Sequence, residues 1–107
     1  ENGTIYDFCA TASRLLKYGG KFYTVFRPDR LADLMAALRA HRLEPKRMTF
    51  VHPDPLSPPS IVLVESRLGG APSLKLTPPL ILYRDGPELE PRVYTDRAAE
   101  VYQTCML

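Results

Sequence analysis

The side chains that could act as metal ligands or nucleophiles are few and widely spaced in this 107-residue sequence. Cys9 and Cys105 stand near opposite ends, and His41 and His52 lie eleven residues apart. A structural zinc site needs four closely grouped Cys or His ligands, and a nucleophile needs a base and an orienting group beside it. The spacing therefore predicts neither a metal site nor a catalytic residue in this chain. It leaves open one disulfide between the cysteines, although two reduced thiols in a cytoplasmic protein are the preferred interpretation.

Basic side chains are the chemical groups that this sequence concentrates. Residues 14–47 hold nine basic and three acidic residues, a local net charge of +6, whereas the whole chain carries only +2. Such a stretch can bind phosphate, and the alternative is a solvated face of helices and loops. The candidates for contact with RNA are Arg27, Lys46, Arg47 and Lys75. His52, which precedes Pro53, is interpreted as a structural or solvated histidine rather than a base.

The first half of the chain predicts helix, strand, helix. Thr4 and Asp7 predict a capped helix with an apolar stripe at helical spacing, and the pair Gly19-Gly20 is expected to end it. Residues 21–26 are apolar on both faces, which predicts a central strand covered by helices on both sides. A proline and an aspartate then favour the start of a second helix, which fades before Glu44. This order predicts an α/β fold with parallel strands.

The second half predicts an antiparallel hairpin and a tail. Strands are expected over 47–52 and 61–66, joined by a proline-rich loop at 53–60, and consecutive strands without an intervening helix pair antiparallel. An extended segment follows, and the C-terminal tail, 84–107, is expected to contain a short helix capped by Thr95. No apolar run is long enough to span a membrane. No signal peptide is visible. Because the chain begins with Glu1 rather than Met, we expect it to be part of a longer gene product.

Several segments, taken together, resemble one family. The turn at 14–22 looks like the Leu-Leu-Lys-Pro-Gly-Gly turn of class I S-adenosylmethionine-dependent methyltransferases, with Tyr18 where proline is usual. Residues 25–31 resemble the Val-x-Arg-Pro-x-Arg-Leu segment of bacterial adenine-N6 methyltransferases that act on valine tRNA and of related small-domain methyltransferases. Residues 43–53 look like the sixth strand of that family, and 63–80 like its seventh strand and tail. The resemblance is collinear and covers roughly residues 4 to 83.

This resemblance implies that residues 1–107 are the C-terminal part of a single methyltransferase domain: the C-terminal half of a Rossmann-like doubly wound sheet whose last strand is antiparallel. The cofactor-binding N-terminal half, with its glycine-rich loop, ribose-binding acid and substrate-amine motif, would lie upstream of Glu1. The implied cofactor of the parent protein is S-adenosylmethionine, and no cofactor is expected to bind this chain alone. The resemblance thus assigns no catalytic, cofactor-binding or metal-binding residue here. Arg27, just past the end of a strand, would face either the substrate cleft or solvent.

The implied activity of the parent is methyl transfer from S-adenosylmethionine to an exocyclic amine, with adenine N6 in tRNA as the acceptor. Guanine in rRNA and a protein glutamine remain open as other amine acceptors, and the chain alone is expected to be inactive. The alternative is a stand-alone RNA-binding or assembly module without catalysis. The expected partners are tRNA or another RNA, the missing N-terminal half, and a second copy joined through an unpaired strand edge. The expected location is the cytoplasm, without membrane association.

Overall fold

The structure, a computed structural model, describes residues 4–84 together with Thr95, Asp96 and Ala98. The predicted short helix from Thr95 lies mostly outside the described residues, as does Cys105. Within them, the order of elements is helix, strand, helix and then four further strands. Their bounds are α1 Ile5–Leu15, β1 Lys21–Phe26, a 3-10 turn Pro28–Arg30, α2 Leu31–Ala40, β2 Leu43–His52, β3 Ile61–Leu68, β4 Lys75–Leu76 and β5 Leu80–Ile81.

All the described strands belong to one mixed sheet. β3 lies between β1 and β2 and is antiparallel to both, in the order β1-β3-β2-β4, and the short β5 also pairs with β2. β4 and β5 run parallel to β2. β1 and β2 therefore point in the same direction although they do not touch. The expected α/β fold, with helix, strand and helix followed by an antiparallel hairpin, is confirmed.

Two apolar clusters lie on opposite faces of this sheet. The larger one joins Cys9 of α1 and Leu34 of α2 to alternate residues of β2 and β3, such as Met48 and Val62, all nearly inaccessible to solvent. The smaller one joins Val51 and its neighbours to the last described segment. Side chains alternate between the two faces of a strand. The residues of β2 and β3 that contact the helices are therefore on one face, and apolar residues between them belong to the smaller cluster on the other face. The smaller cluster consists of Val51, Leu80 and Ala98, with Ile61, Leu63 and Leu82 packed around it.

β1 differs from the central, doubly covered strand that the sequence predicted. It stands at the end of the strand order, and its accessibility alternates along the strand. Phe22 and Phe26 pack against the larger cluster, whereas Tyr23 and Val25 are 66% and 65% exposed. Within residues 4–84 no strand pairs with the outer edge of β1, and no helix covers its second face. Part of the apolar surface of this strand thus remains uncovered by the described residues.

The first helix begins as predicted and ends earlier. Thr4 and Asp7 form both hydrogen bonds of a capping box. The helix stops at Leu15, before the two glycines that were expected to end it, and Gly19 serves instead in a tight turn. The amide of Gly20 donates to the carbonyl of Lys17 (2.8 Å), and Gly19 has a φ of 83° at the third position. A turn of this kind favours glycine there and proline one place earlier, at the position of Tyr18.

The second helix ends in a left-handed cap made by an arginine. Arg42 has a φ of 65°, and its amide donates to the carbonyl of Arg39 (3.2 Å). Glycine is the usual residue at this position because a β-carbon is strained there. Leu38 and Leu43, on either side of the cap, are both fully buried in the larger cluster, which is the hydrophobic contact that accompanies such caps. Arg42 thus adopts a left-handed backbone conformation that lowers the stability of the fold relative to glycine at the same position.

β2 begins four residues before the predicted strand. Its register against β3 shifts between Pro45 and Arg47, so that Lys46 has no partner on β3. Proline lacks the N–H that a strand ladder needs and is tolerated in sheets at bulges and edges. The bulge explains why Pro45, which marks a break in the sequence, lies buried inside a strand.

A buried hydroxyl in β3 gives a test of the sheet register. Ser66 is fully buried between Phe22 of β1 and Pro45 of β2, and its hydroxyl has no hydrogen-bond partner among the described residues. Burying an unpaired hydroxyl costs about 1–3 kcal/mol. We expect Ser66→Ala to raise the free energy of unfolding by about 1 kcal/mol in urea denaturation. Ser13→Ala is the control, since it removes a formed hydrogen bond, and a loss of stability in Ser66→Ala would contradict the register.

Candidate functional site

The carboxyl ends of β1 and β2 define one edge of the sheet, where open α/β sheets bind ligands. Since both strands are antiparallel to β3, Arg27 after β1 and the loop at 53–60 after β2 lie at this same edge. β5 runs parallel to β2 and ends here too. The amide of Leu82 donates to the carbonyl of His52 (2.9 Å), and that of Tyr83 to the carbonyl of Pro53 (2.8 Å). The edge is therefore built by three separate segments of the chain.

Arg27 is held by an acid two residues away. Its Nε and Nη2 donate to the two carboxylate oxygens of Asp29, at 3.0 and 2.7 Å. Both side chains are exposed, at 75% and 58%, and such pairs contribute at most about 1 kcal/mol to stability. The carboxylate that Arg27 meets in the described part of the chain is thus Asp29. The pair orients the guanidinium at the edge and offsets part of its charge, while its remaining N–H groups stay available to an anionic ligand.

The proline-rich loop is organised by a buried aspartate that the sequence reading did not single out. Asp54 is 1% exposed, and its carboxylate accepts from the amide of Leu56 (3.0 Å) and the hydroxyl of Ser57 (2.9 and 3.0 Å). An aspartate that bonds to the residues two and three places on is a recognisable turn signal. Nδ1 of His52 donates to the carbonyl of Ser57 (2.9 Å). His52 thus fastens the loop, as its structural interpretation predicted.

The Asp54 network predicts a measurable loss of stability. Asp54→Ala leaves the Leu56 amide and the Ser57 hydroxyl without their acceptor in a half-buried loop. An unpaired buried donor costs about 1–3 kcal/mol, so we expect a decrease in the free energy of unfolding of that size by urea denaturation. The control is Asp29→Ala at the same edge, with an expected change below about 1 kcal/mol because its ion pair is exposed. Equal losses in the two variants would contradict the organising role of Asp54.

The other three candidates for RNA contact lie elsewhere on the sheet. Nζ of Lys46, at the bulge of β2, donates to the carbonyl of Ala71 (2.7 Å). Arg47 stands in register between Glu65 of β3 and Lys75 of β4. The structure therefore brings Arg47 and Lys75 side by side on neighbouring strands. It does not bring either of them together with Arg27, which follows a strand on the far side of β3.

Metal and thiol chemistry find no support in the described part of the chain. Burial raises the pKa of the Cys9 thiol, which keeps it protonated and packed in the larger cluster. Residues 4–84 and the three described residues beyond them contain no group of His, Cys, Asp or Glu able to hold a metal ion.

Over the same residues, no helix has the length and apolar character needed to cross a membrane.

The described glycines also lie away from the ligand edge. Gly19 and Gly20 precede β1, and Gly69 and Gly70 follow β3, so all four lie at the amino ends of β1 and β2. A nucleotide cofactor in this class of sheet sits on a glycine-rich turn at the carboxyl edge. The residues present therefore do not fit S-adenosylmethionine, and the described chain supplies no step that passes through it.

A cleft at this amino edge was missed by the sequence reading. It measures about 310 Å³ and is lined by Ser13, Tyr18, Ala40, His41, Arg42 and Leu68. The lining comes from three segments that are far apart in the sequence, namely the end of α1 with the turn after it, the end of α2 with its cap, and the end of β3, so no local motif marks it. The excess of basic residues over acidic ones in residues 14–47 predicted a positively charged surface. It did not predict which residues would line a cleft.

Comparison with known proteins places the fold. No family model matches the chain, and no curated protein matches it. A crystal structure of a predicted O-methyltransferase, the protein Atu636 from Agrobacterium tumefaciens, is similar to this chain with a TM-score of 0.80 at 25% sequence identity. The match covers 96% of this chain and 47% of that one. The chain thus has the fold of about half of that protein and spans about half its length.

Proposed function

We propose that this chain forms the C-terminal half of a domain that transfers a methyl group from S-adenosylmethionine to an exocyclic amine. The observation that carries this proposal is the sheet order, with antiparallel β3 between β1 and β2, and its similarity to a methyltransferase at a TM-score of 0.80. Adenine N6 in tRNA is the proposed acceptor, on the sequence resemblance. The related structure is of a predicted O-methyltransferase, so it supports methyl transfer in general and not the acceptor atom.

The proposed contribution of this half is one wall of the substrate cleft. Arg27, oriented by Asp29, and the Asp54-organised loop lie at the carboxyl edge of the sheet. There they would orient an RNA acceptor and shield it from water, while the rest of the domain supplies the cofactor site and the group that holds the amine. Positioning of this kind lowers the barrier by holding the reactants in line. Lys46, Arg47 and Lys75 remain proposed RNA contacts by charge.

Methylation by a longer protein tests this proposal. We expect a protein that carries this segment within a complete domain to transfer tritiated methyl from S-adenosylmethionine to tRNA, with N6-methyladenosine as the product by mass spectrometry. Arg27→Ala should lower kcat/KM for RNA roughly tenfold, the size of one lost charged contact, and Arg30→Ala is the matched control. The 107-residue chain alone should give no heat with S-adenosylmethionine in calorimetry. A clear binding signal from it would refute the assignment of the cofactor site to the missing half.

A non-enzymatic RNA-binding or assembly module is the second candidate, supported by the basic stretch of residues 14–47. The two proposals differ in a single outcome, which is cofactor-dependent methylation by the longer protein. RNA binding by the chain alone is compatible with both, so it does not separate them. Cytoplasmic location is proposed with either function, on the interpretation of Cys9 and Cys105 as reduced thiols.

The free edge of β1 is proposed to pair with a strand from the rest of the domain, and in the isolated chain with a second copy. An unpaired apolar edge favours association, and Tyr23 and Val25 leave its second face exposed. We expect the isolated chain to sediment as a dimer at micromolar concentration and Val25→Lys to sediment as a monomer. Leu56→Lys, at an 82% exposed position in the loop, should remain dimeric. A monomeric wild-type chain would contradict this pairing.

A further inference from the structure

The cations of residues 14–47 divide into paired and unpaired groups. The three acids of this stretch each hold one arginine, in the pairs Arg27–Asp29, Arg30–Asp33 and Arg39–Glu44. The local excess of charge therefore belongs to the other six basic residues. Four of them have exposed side chains that make no hydrogen bond or ion pair with any described residue: Arg14, Lys17, Lys21 and Arg42.

These four cations lie on segments at the amino edge of the sheet, opposite the edge where Arg27 lies. Both helices end there, and β1 and β2 begin there. Arg67, in register with Lys21, adds a fifth exposed cation. The two helix C-termini contribute only about half a negative charge each. These partial charges offset only about one of the five positive charges, so the edge keeps a large net positive charge.

Backbone hydrogen bonds tie the loops of this edge together. The amide of Gly19 donates to the carbonyl of Leu68 (2.9 Å), the amide of Leu68 to the carbonyl of Gly20 (3.0 Å), and the amide of Gly69 to the carbonyl of Arg42 (2.8 Å). The turn before β1, the cap of α2 and the end of β3 thus form one connected rim. These bonds fix the backbone positions from which the side chains of the rim extend.

One wall of the 310 Å³ cleft in this rim is an aromatic ring held against the backbone. The hydroxyl of Tyr18 donates to the carbonyl of Gly69 (3.1 Å), and a β-carbon at Gly69 would lie 2.1 Å from the ring. Tyr18 is nevertheless 78% exposed. An exposed ring with its hydroxyl bonded in this way offers a surface on which a flat base can stack. His41 and Arg42 line the same cleft and supply donors beside the ring.

The backbone of Arg42 supports a role for its side chain. Glycine would fit the left-handed cap better, and a side chain held on a strained backbone is an indication of function. The cap uses the amide of Arg42, and its carbonyl accepts from Gly69. By contrast, the charged residues of a second cleft of about 470 Å³, Arg39 and Glu44, are paired with each other.

We propose that the amino edge of the sheet binds nucleotides, with the phosphate held by Arg42 and its neighbouring cations and the base stacked on Tyr18. The shared chemistry is a phosphate next to a flat aromatic base, and its source is either a free nucleotide or a single-stranded segment of RNA. This site is separate from the carboxyl edge. It does not depend on methyl transfer, so the failure of either proposal leaves the other standing.

Binding by the 107-residue chain tests this site with four probes. They are inorganic phosphate, AMP, a fluorescein-labelled RNA decamer, and S-adenosylmethionine as a probe without phosphate. We expect AMP to bind more tightly than inorganic phosphate and S-adenosylmethionine not to bind. A decamer affinity at least tenfold above that of AMP, falling with salt at a log–log slope of about −2 to −3 for three or four phosphates, identifies RNA as the source. Equal affinities identify the free nucleotide.

Two variants separate binding from folding. Arg42→Gly relieves the strained cap, so its melting temperature should equal or exceed that of wild type, while AMP affinity falls about tenfold and the salt slope for the decamer shrinks by about 1. Tyr18→Pro fits the turn and should weaken AMP several-fold without changing the affinity for inorganic phosphate. Arg30→Ala carries the same change in charge and should bind within twofold of wild type.

Three results would overturn the proposal. The first is no binding of AMP or of the decamer at low salt. The second is an equal loss of affinity in Arg42→Gly and Arg30→Ala, which would show that net charge alone acts. The third is unchanged AMP affinity in Tyr18→Pro, or equal affinity for AMP and inorganic phosphate, which would remove the base from the site.

Discussion

The insertion of β3 between β1 and β2 is the constraint on which the other features of this chain depend. β3 forms antiparallel ladders with both neighbours over nearly its whole length. It therefore makes β1 and β2 run in the same direction and gives the sheet two chemically different edges. The C-terminal ends of both helices and the turns after them collect at one edge, and Arg27 with the Asp54 loop lies at the other. Without β3, β1 would have no partner among the described strands.

The two faces of the sheet are covered very differently. The helical face carries the larger cluster, in which residues from both helices are fully buried against β2 and β3. Among the described residues, the other face has a small cluster near the carboxyl end of β2, while Tyr23 and Val25 of β1 stay open. Burial of apolar surface supplies most of the free energy of folding. Among the described residues, most of the apolar burial that stabilises the fold is therefore on the helical face. A buried polar group without a partner, such as the Ser66 hydroxyl, then offsets a larger share of the free energy of folding.

Much of the fold could be predicted from local sequence signals, and the sites largely could not. The capping box at Thr4 and the proline-rich loop depend on residues close in sequence, and the periodicity of residues 5–16 indicated α1 correctly. The boundary errors at Gly19 and Pro45 arose because both residues act in turns or bulges that only the sheet defines. The amino-edge cleft joins Ser13, Arg42 and Leu68, and its existence depends on long-range pairing with β3. Periodicity carries no information about which distant loops will meet.

The contact between Tyr18 and Gly69 limits how this sequence can change. Because a β-carbon at position 69 would overlap the ring, a larger residue there has to displace the Tyr18 side chain and break its hydrogen bond to the carbonyl of residue 69. Proline at position 18 would keep the turn and free the space, whereas the φ of 72° at Gly69 would still favour glycine. The effects of substitutions at these two positions should therefore not add. Over evolutionary time the two residues would be expected to change together, although 51 positions separate them.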